Sequence, residues 1–210
     1  MIQVLVADDH PMLRKGLRLV LQQEADFGPP GEAENAEDLM RCLDERPWDL
    51  LVLDIGMPGR NGLEILQEIR RLRPSLPVLI LSMHSEELYA IRAIKAGANG
   101  YVNKSSAPSE LVRAIRRVLA GKRYVSATLA EALANAVESG EPRPPHEILS
   151  DREYHVMCRI ATGKSVSEIA TETSLSVKTI STYRSRALEK MHMHTNAEIT
   201  RYAIRNGLVE

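Results

Sequence analysis

Cysteine is nearly absent from this chain of 210 residues: Cys42 and Cys158 lie far apart, each inside a helix-like pattern. Such spacing argues against a disulfide framework and against a cysteine metal cluster, and a reducing compartment, the cytoplasm, is expected. Long apolar runs are missing as well. None approaches the ~20 residues needed to span a bilayer, and the chain opens directly on a strand-like segment rather than on a basic and then apolar leader. Secretion and membrane insertion are therefore not expected. Charge of either sign is scarce in the balance, since 27 Lys/Arg face 28 Asp/Glu. The distribution is less even: residues 1–122 carry 16 basic and 17 acidic side chains, 123–149 carry 2 and 4, and 150–210 carry 9 and 7. Only the C-terminal part is basic, by two charges, a weak hint of a polyanionic partner.

The length suits two domains, each with its own core. Over the first 120 residues, short apolar runs alternate with amphipathic segments, the pattern of a parallel sheet covered on both faces. Strands are expected near 2–7, 49–53, 77–81 and 99–102. Helices are expected near 11–23, 36–45, 61–72, 86–95 and 108–119. A fifth strand is needed near 28–34, but Gly28-Pro29-Pro30-Gly31-Glu32-Ala33 is a poor strand sequence because neither proline can donate a ladder hydrogen bond, so it should be short and at an edge. Residues 126–138 are Ala-rich and suit a helix, whereas Glu141-Pro142-Arg143-Pro144-Pro145 should be extended. The segment 123–149 reads as a connector between a domain at 1–122 and another at 150–210.

Polar residues stop each of four apolar runs. Asp8-Asp9 follow Val4-Leu5-Val6-Ala7, Asp54 follows Leu50-Leu51-Val52-Leu53, Ser82 follows Val78-Leu79-Ile80-Leu81, and Lys104 follows Tyr101-Val102-Asn103. The carboxyl ends of parallel strands are where ligands gather, so the four should converge. An acidic residue directly after a buried run needs a partner or a wet pocket. Asp54 as a phosphoryl acceptor would need countercharge, because a carboxylate attacking a phosphoryl group joins two anions. Mg²⁺ suits that role. Asp9 is expected to ligate it directly and Asp8 through water, while Lys104 pairs with a phosphoryl oxygen and Ser82 donates its hydroxyl to another. Alone, each has an ordinary reading as a turn, cap or solvated side chain. His10, ahead of Pro11 at a helix start, is expected to be a loop imidazole without phosphoryl chemistry.

Together with Asp54-Ile55-Gly56-Met57-Pro58-Gly59-Arg60-Asn61-Gly62, Ala96-Gly97-Ala98 and Gly100-Tyr101, these residues make positions 1 to about 122 resemble the receiver domain of two-component response regulators. The resemblance implies a doubly wound, flavodoxin-like α/β fold with a five-stranded parallel sheet. It also implies a phosphoryl group received by Asp54 from a histidine kinase, with Mg²⁺ held by Asp9, Asp54 and the Gly56 carbonyl. It further implies a switch coupling the Ser82 hydroxyl to Tyr101, whose alternative is a half-buried strand aromatic with its hydroxyl in water. Phosphatases of the haloacid dehalogenase type also use a nucleophilic aspartate with Mg²⁺, but they need a second acid where Gly56 stands. No enzyme activity beyond slow turnover of the chain's own acyl phosphate is expected.

The last 61 residues read as short helices. Ser150-Asp151-Arg152-Glu153 has the form of a capping box ahead of Val156, Met157, Ile160 and Ala161 at helical spacing, and Gly163 should end that helix. A second helix passes through Val166–Ala170. Ser176 should cap a third over 177–190, with Val177, Ile180, Ala187, Leu188 and Met191 facing a core. A final helix is expected near 196–206. Residues 178–190 hold four Lys/Arg and one acid, and two helices joined by a tight turn with a polar, basic outer face describe a helix-turn-helix reader. Ser150-x-Arg152-Glu153, Gly163-Lys164-Ser165, Glu168-Ile169-Ala170 and Leu175-Ser176-Val177-Lys178-Thr179-Ile180 through Leu188-x-Lys190-Met191 resemble the LuxR-type DNA-binding domain of the NarL/FixJ class. By position, Ser181, Thr182 and Ser185 should face the major groove, while Lys178, Thr179, Arg184 and Arg186 should touch phosphates. Tyr183 stands where the family commonly has His. The final helix resembles the family's dimerisation helix. His192 and His194 have no Cys or acidic partner at ligand spacing, so no metal is expected there. The expected function is a phosphorylation-dependent DNA-binding transcriptional regulator, dimeric when active; a constitutive regulator is the alternative.

Overall fold

The computed structural model describes residues 1–57, 62–82, 86–106, 108–126, 130 and 144–209, with the side chains of 86–88 outside the description. Pro58-Gly59-Arg60-Asn61 of the motif after Asp54, most of the Ala-rich helix expected over 126–138, and Glu141 to Arg143 lie outside the described residues. The chain forms two compact units that divide between residues 138 and 139.

In the first unit, β1 (Val4–Ala7), α1 (Pro11–Gln22), β2 (Gly31–Ala33), α2 (Ala36–Glu45) and β3 (Leu50–Asp54) are followed by α3 (Gly62–Leu72), β4 (Val78–Ser82), α4 (Glu86–Lys95), β5 (Gly100–Asn103) and α5 (Pro108–Leu119). The sheet is wholly parallel in the order β2-β1-β3-β4-β5. β1, β3 and β4 are buried along their whole length, which is why their sequences read as continuous apolar runs rather than alternations. Successive side chains go to opposite faces. Val4, Val6, Leu50, Val52, Leu79, Leu81 and Val102 form one core with Leu17 and Leu21 of α1 and Leu111, Ala114, Ile115 and Val118 of α5. Leu5, Leu51, Leu53, Ile80 and Tyr101 are buried on the other face, where right-handed crossovers carry α2, α3 and α4.

The edge strand β2 is short, as its sequence predicts, at three residues, and it begins after Pro29-Pro30 rather than including them. Gly62 permits the close start of α3, since a Cβ there would come within 2.4 Å of the Ile55 Cα. The core also takes in Tyr124, two residues past the expected limit of the domain; its backbone bridges Asn99 and Tyr101, and a side chain at Gly100 would collide with it.

The second unit starts with a 3-10 turn over Pro145–Ile148, where Pro145 departs from the extended chain expected of it. Four helices follow: α6 (Asp151–Ala161), α7 (Val166–Thr173), α8 (Val177–Lys190) and α9 (Asn196–Arg205). Each begins at a hydroxyl cap. Ser150, Ser165, Ser176 and Thr195 accept from the backbone N–H three residues on, and Glu153 and Glu168 complete capping boxes for α6 and α7. Gly163, with φ +86°, ends α6 as its sequence predicts. Tyr154, Met157, Ile160, Ile169, Ile180, Ala187, Ile199 and Ala203 make the core. Val177 departs from expectation: it is 50% exposed rather than in the core. It is the first residue of α8, and the buried stripe of that helix begins one turn later, at Ile180.

Candidate functional site

The strand order reverses direction between β1 and β3, so a crevice opens outside their carboxyl ends. The register supplies the chemistry. Ala7 pairs with Leu53, Asp54 with Leu81, and Ser82 with Asn103, so Asp8, Asp54, Ser82 and Lys104 end neighbouring strands along one rim.

Asp8 and Asp54 are almost fully buried, and Asp9 is partly exposed. The Lys104 ammonium bridges the two buried acids, 2.7 Å from Asp8 Oδ2 and 2.6 Å from Asp54 Oδ2. The Gly56 N–H donates to Asp54 Oδ1 at 2.8 Å, and the Lys104 N–H donates to the Ser82 carbonyl at 2.8 Å. Burial pushes the Asp54 carboxyl above the ordinary aspartate range. The hydrogen bonds from Lys104 and Gly56 pull it back, and the charge of Asp8 adds to the rise. Two buried carboxylates thus share one ammonium, with the partly exposed Asp9 carboxylate alongside, so acidic groups outnumber basic ones in the cluster.

His10 is closer to this cluster than its sequence context suggested. Its N–H donates to Asp8 Oδ1 at 2.8 Å, and its Nδ1 lies 2.8 Å from Asp9 Oδ1. One ligand atom from each of Asp8, Asp9, His10 and Asp54 falls within 4.8 Å of the others. The oxygen-rich donor set and the uncompensated negative charge fit a hard divalent cation such as Mg²⁺. Ser82 is buried at the rim, and Tyr101 is fully buried rather than half-buried with its hydroxyl in water.

Sequence reasoning missed Arg14. This side chain of α1 is buried, donates to the Asp8 carbonyl at 2.6 Å, and hydrogen-bonds Glu34 just past β2. An arginine one turn into a helix gives no signal of burial, and only the fold turns it toward the acidic loop.

On α8, Lys178, Thr182, Ser185 and Arg186 are exposed, and Thr179, Ser181 and Arg184 are partly so. Several are already engaged. Thr182 donates to the Lys178 carbonyl at 2.9 Å, the Thr179 and Ser176 hydroxyls lie 2.8 Å apart, and Arg184 Nε donates to Asn196 Oδ1 at 2.6 Å. Arg152 Nη1 donates to the Tyr183 hydroxyl at 3.2 Å. Glu153, the capping-box acid of α6, also accepts from Lys190 of α8 at 2.6 Å and from the Ser150 N–H at 2.8 Å. Burial would raise its pKa, but those partners hold it below the ordinary glutamate range.

The response regulator receiver domain family matches residues 4–116, and the family of bacterial regulatory proteins of the luxR type matches residues 147–203. The chain belongs to the two-component response regulators. Its receiver domain precedes a LuxR-type helix-turn-helix domain, the architecture of the NarL/FixJ class. It is similar to the response regulator UvrY of Escherichia coli K12, with 36% identity over 99% of this chain and 96% of that one. It is also similar to the response regulator GacA of Pseudomonas aeruginosa PAO1, with 35% identity over 100% of this chain and 99% of that one. Among solved structures, RcsB of Salmonella enterica serovar Typhimurium, bound to promoter rprA in the presence of the phosphomimetic BeF₃⁻, superposes with a TM-score of 0.69 at 27% identity, covering 96% of this chain and 97% of that one. As a response regulator with this DNA-binding domain, the chain regulates transcription. Among the described residues, no helix is long and apolar enough to cross a membrane.

Proposed function

We propose that phosphorylation of Asp54 gates DNA binding by this regulator. The observation that carries the reading is the Lys104 ammonium held between Asp8 and Asp54. An Asp54 oxygen attacks the phosphorus of a phosphohistidine on a sensor kinase; the new O–P bond forms as the N–P bond breaks, and the imidazole leaves. Asp9, Asp54 and the Gly56 carbonyl would hold Mg²⁺, with Asp8 contributing through water. When bound, the ion supplies the countercharge that lets two anions approach.

Lys104 loses one carboxylate partner as Asp54 becomes an acyl phosphate, keeps Asp8, and turns to a phosphoryl oxygen. Ser82 donates to another oxygen, and Tyr101 follows Ser82 as the switch residue. Turnover is limited to slow hydrolysis of the chain's own acyl phosphate.

Residues 1–122 act as the receiver, 123–149 as the connector and 150–210 as the DNA-binding domain. A useful switch needs a coupling of about 1–3 kcal/mol between them. Activation yields a homodimer that binds promoter repeats in the cytoplasm, with half-sites one helical turn, about 34 Å, apart. Ser181, Thr182 and Ser185 face the major groove. Lys178, Thr179, Arg184 and Arg186 meet phosphates, which requires Arg184 to release Asn196.

Incubation with acetyl phosphate and Mg²⁺, followed by intact-mass measurement, tests the chemistry. One added phosphoryl group on the wild type and none on Asp54→Asn or Asp9→Asn is expected. Equal labelling of Asp54→Asn would place the acceptor elsewhere.

A further inference from the structure

Arg14 is a buried charge of the first unit that the phosphoryl chemistry leaves unused. Its guanidinium is 5% exposed, yet none of its partners is a carboxylate of the acidic pocket. Nη1 donates to the Asp8 main-chain carbonyl at 2.6 Å, Nη2 hydrogen-bonds Glu34, and Nε lies 3.6 Å from Glu32 Oε2. A strut between α1 and β2 does not need a buried arginine, because Arg18 one turn later already reaches Glu32 from the surface, at 3.3 Å. Taking a guanidinium out of water is costly unless the site gains something specific from it.

What Arg14 alone fixes is the peptide between Asp8 and Asp9. The carbonyl of Asp8 and the N–H of Asp9 share one plane, so a hydrogen bond on that carbonyl sets the direction from which the Asp9 carboxylate leaves the backbone. The other side of Asp8 is held by its own N–H, which donates to the Ala33 carbonyl of β2 at 3.1 Å. Arg14 and β2 therefore clamp the loop that carries two acids of the pocket. Glu34 has a second part in this arrangement. Its carboxylate and that of Glu32 balance the arginine, so a buried cation stands behind the acidic pocket without cancelling its negative potential.

We infer that Arg14, balanced by Glu34, is a positioning residue for the divalent cation, linking edge strand β2 to metal affinity at Asp9 and Asp54. The inference rests on the reading of Asp8, Asp9 and Asp54 as the Mg²⁺ site.

Mn²⁺ binding to the full-length protein, followed by the electron paramagnetic resonance signal of unbound Mn²⁺, measures this without any phosphorylation assay. Outer-shell partners of a metal site typically set affinity by 10- to 100-fold. Arg14→Met should weaken Mn²⁺ binding by about tenfold, the low end of that range, because it acts through a backbone carbonyl. Arg14→Lys should recover part of the loss, since one ammonium can reach the Asp8 carbonyl but cannot also fork to Glu34. Glu34→Gln, a change at a 66% exposed side chain that leaves the core intact, should weaken binding by about threefold. It decides the matter if Arg14→Met fails to fold. Melting of each variant in EDTA separates a strut from a positioning residue: a lower melting temperature with Mn²⁺ affinity unchanged in Arg14→Met and Glu34→Gln would overturn the inference. Absence of Mn²⁺ binding by the wild type, or undiminished binding by Asp9→Asn, would instead overturn the acidic-site reading itself.

Discussion

The surroundings of Asp54 work against its charge. Burial raises its pKa above the ordinary aspartate value, so the folded state binds the proton more tightly than the unfolded chain does. Stability contributed by the protonated form is then lost as pH rises from the ordinary aspartate range through the folded value. Asp54→Asn removes that penalty and should melt at a higher temperature than the wild type at pH 7 in EDTA, with the gap closing at acid pH. Mg²⁺ should stabilise the wild type by about 2.7 kcal/mol at a hundred times its dissociation constant and stabilise Asp54→Asn far less. Thermal melts across pH and Mg²⁺ concentration check both expectations; a lower melting temperature for Asp54→Asn in EDTA would contradict the first.

Glu153 has the opposite sign. Although burial opposes it, Lys190 and the Ser150 N–H hold its folded pKa below the ordinary glutamate value. Its contribution is complete above that ordinary value and disappears as pH falls through the depressed one. Glu153→Gln should cost about 1–2 kcal/mol at pH 7, the scale of hydrogen bonds to a charged group with a half-exposed partner. The loss should shrink as pH falls from the ordinary glutamate value through the depressed one, as seen by urea denaturation monitored through the second unit's helical signal.

At the scale of the element, most of the architecture is legible because local signals agree with the fold. Apolar runs of four or five residues mark the buried parallel strands, and Pro29-Pro30 forecasts a short edge strand, which β2 is. Ser150 and Ser176 mark two helix starts in the second unit in advance, and Ser165 and Thr195 cap the other two in the structure. The capping box Ser165–Glu168 opens α7, the first helix of the helix-turn-helix. Ser165→Ala should therefore destabilise the second unit by about 1 kcal/mol, measured as a shift in its melting curve. The acidic cluster is legible for the same reason: each of its residues stops an apolar run, and parallel strands in register place such stops side by side. Other features depend on contacts between elements and leave no local trace. Arg14 looks like any helix-face arginine until β2 is placed beside α1. His10 joins the cluster only through the turn that Asp8 makes with its N–H. Val177 fits the apolar period of α8 and yet is exposed, because periodicity gives the face of a helix and not the point at which the helix enters the core.

At the scale of the whole molecule, the proposed regulation joins a buried acidic pocket in one unit to a helix-turn-helix in the other through a change of state at Asp54. On that reading both units are needed, since the proposed phosphoryl acceptor Asp54 lies in the first and the proposed groove-facing Ser181, Thr182 and Ser185 lie in the second. The most direct test is sequencing of genomic DNA fragments retained by the full-length protein in Mg²⁺, with and without beryllofluoride as the phosphoryl mimic. A repeated motif enriched only with the mimic, and no such gain for Asp54→Asn, is the expected result. Equal enrichment of that motif in both conditions would contradict it and make the chain a constitutive regulator.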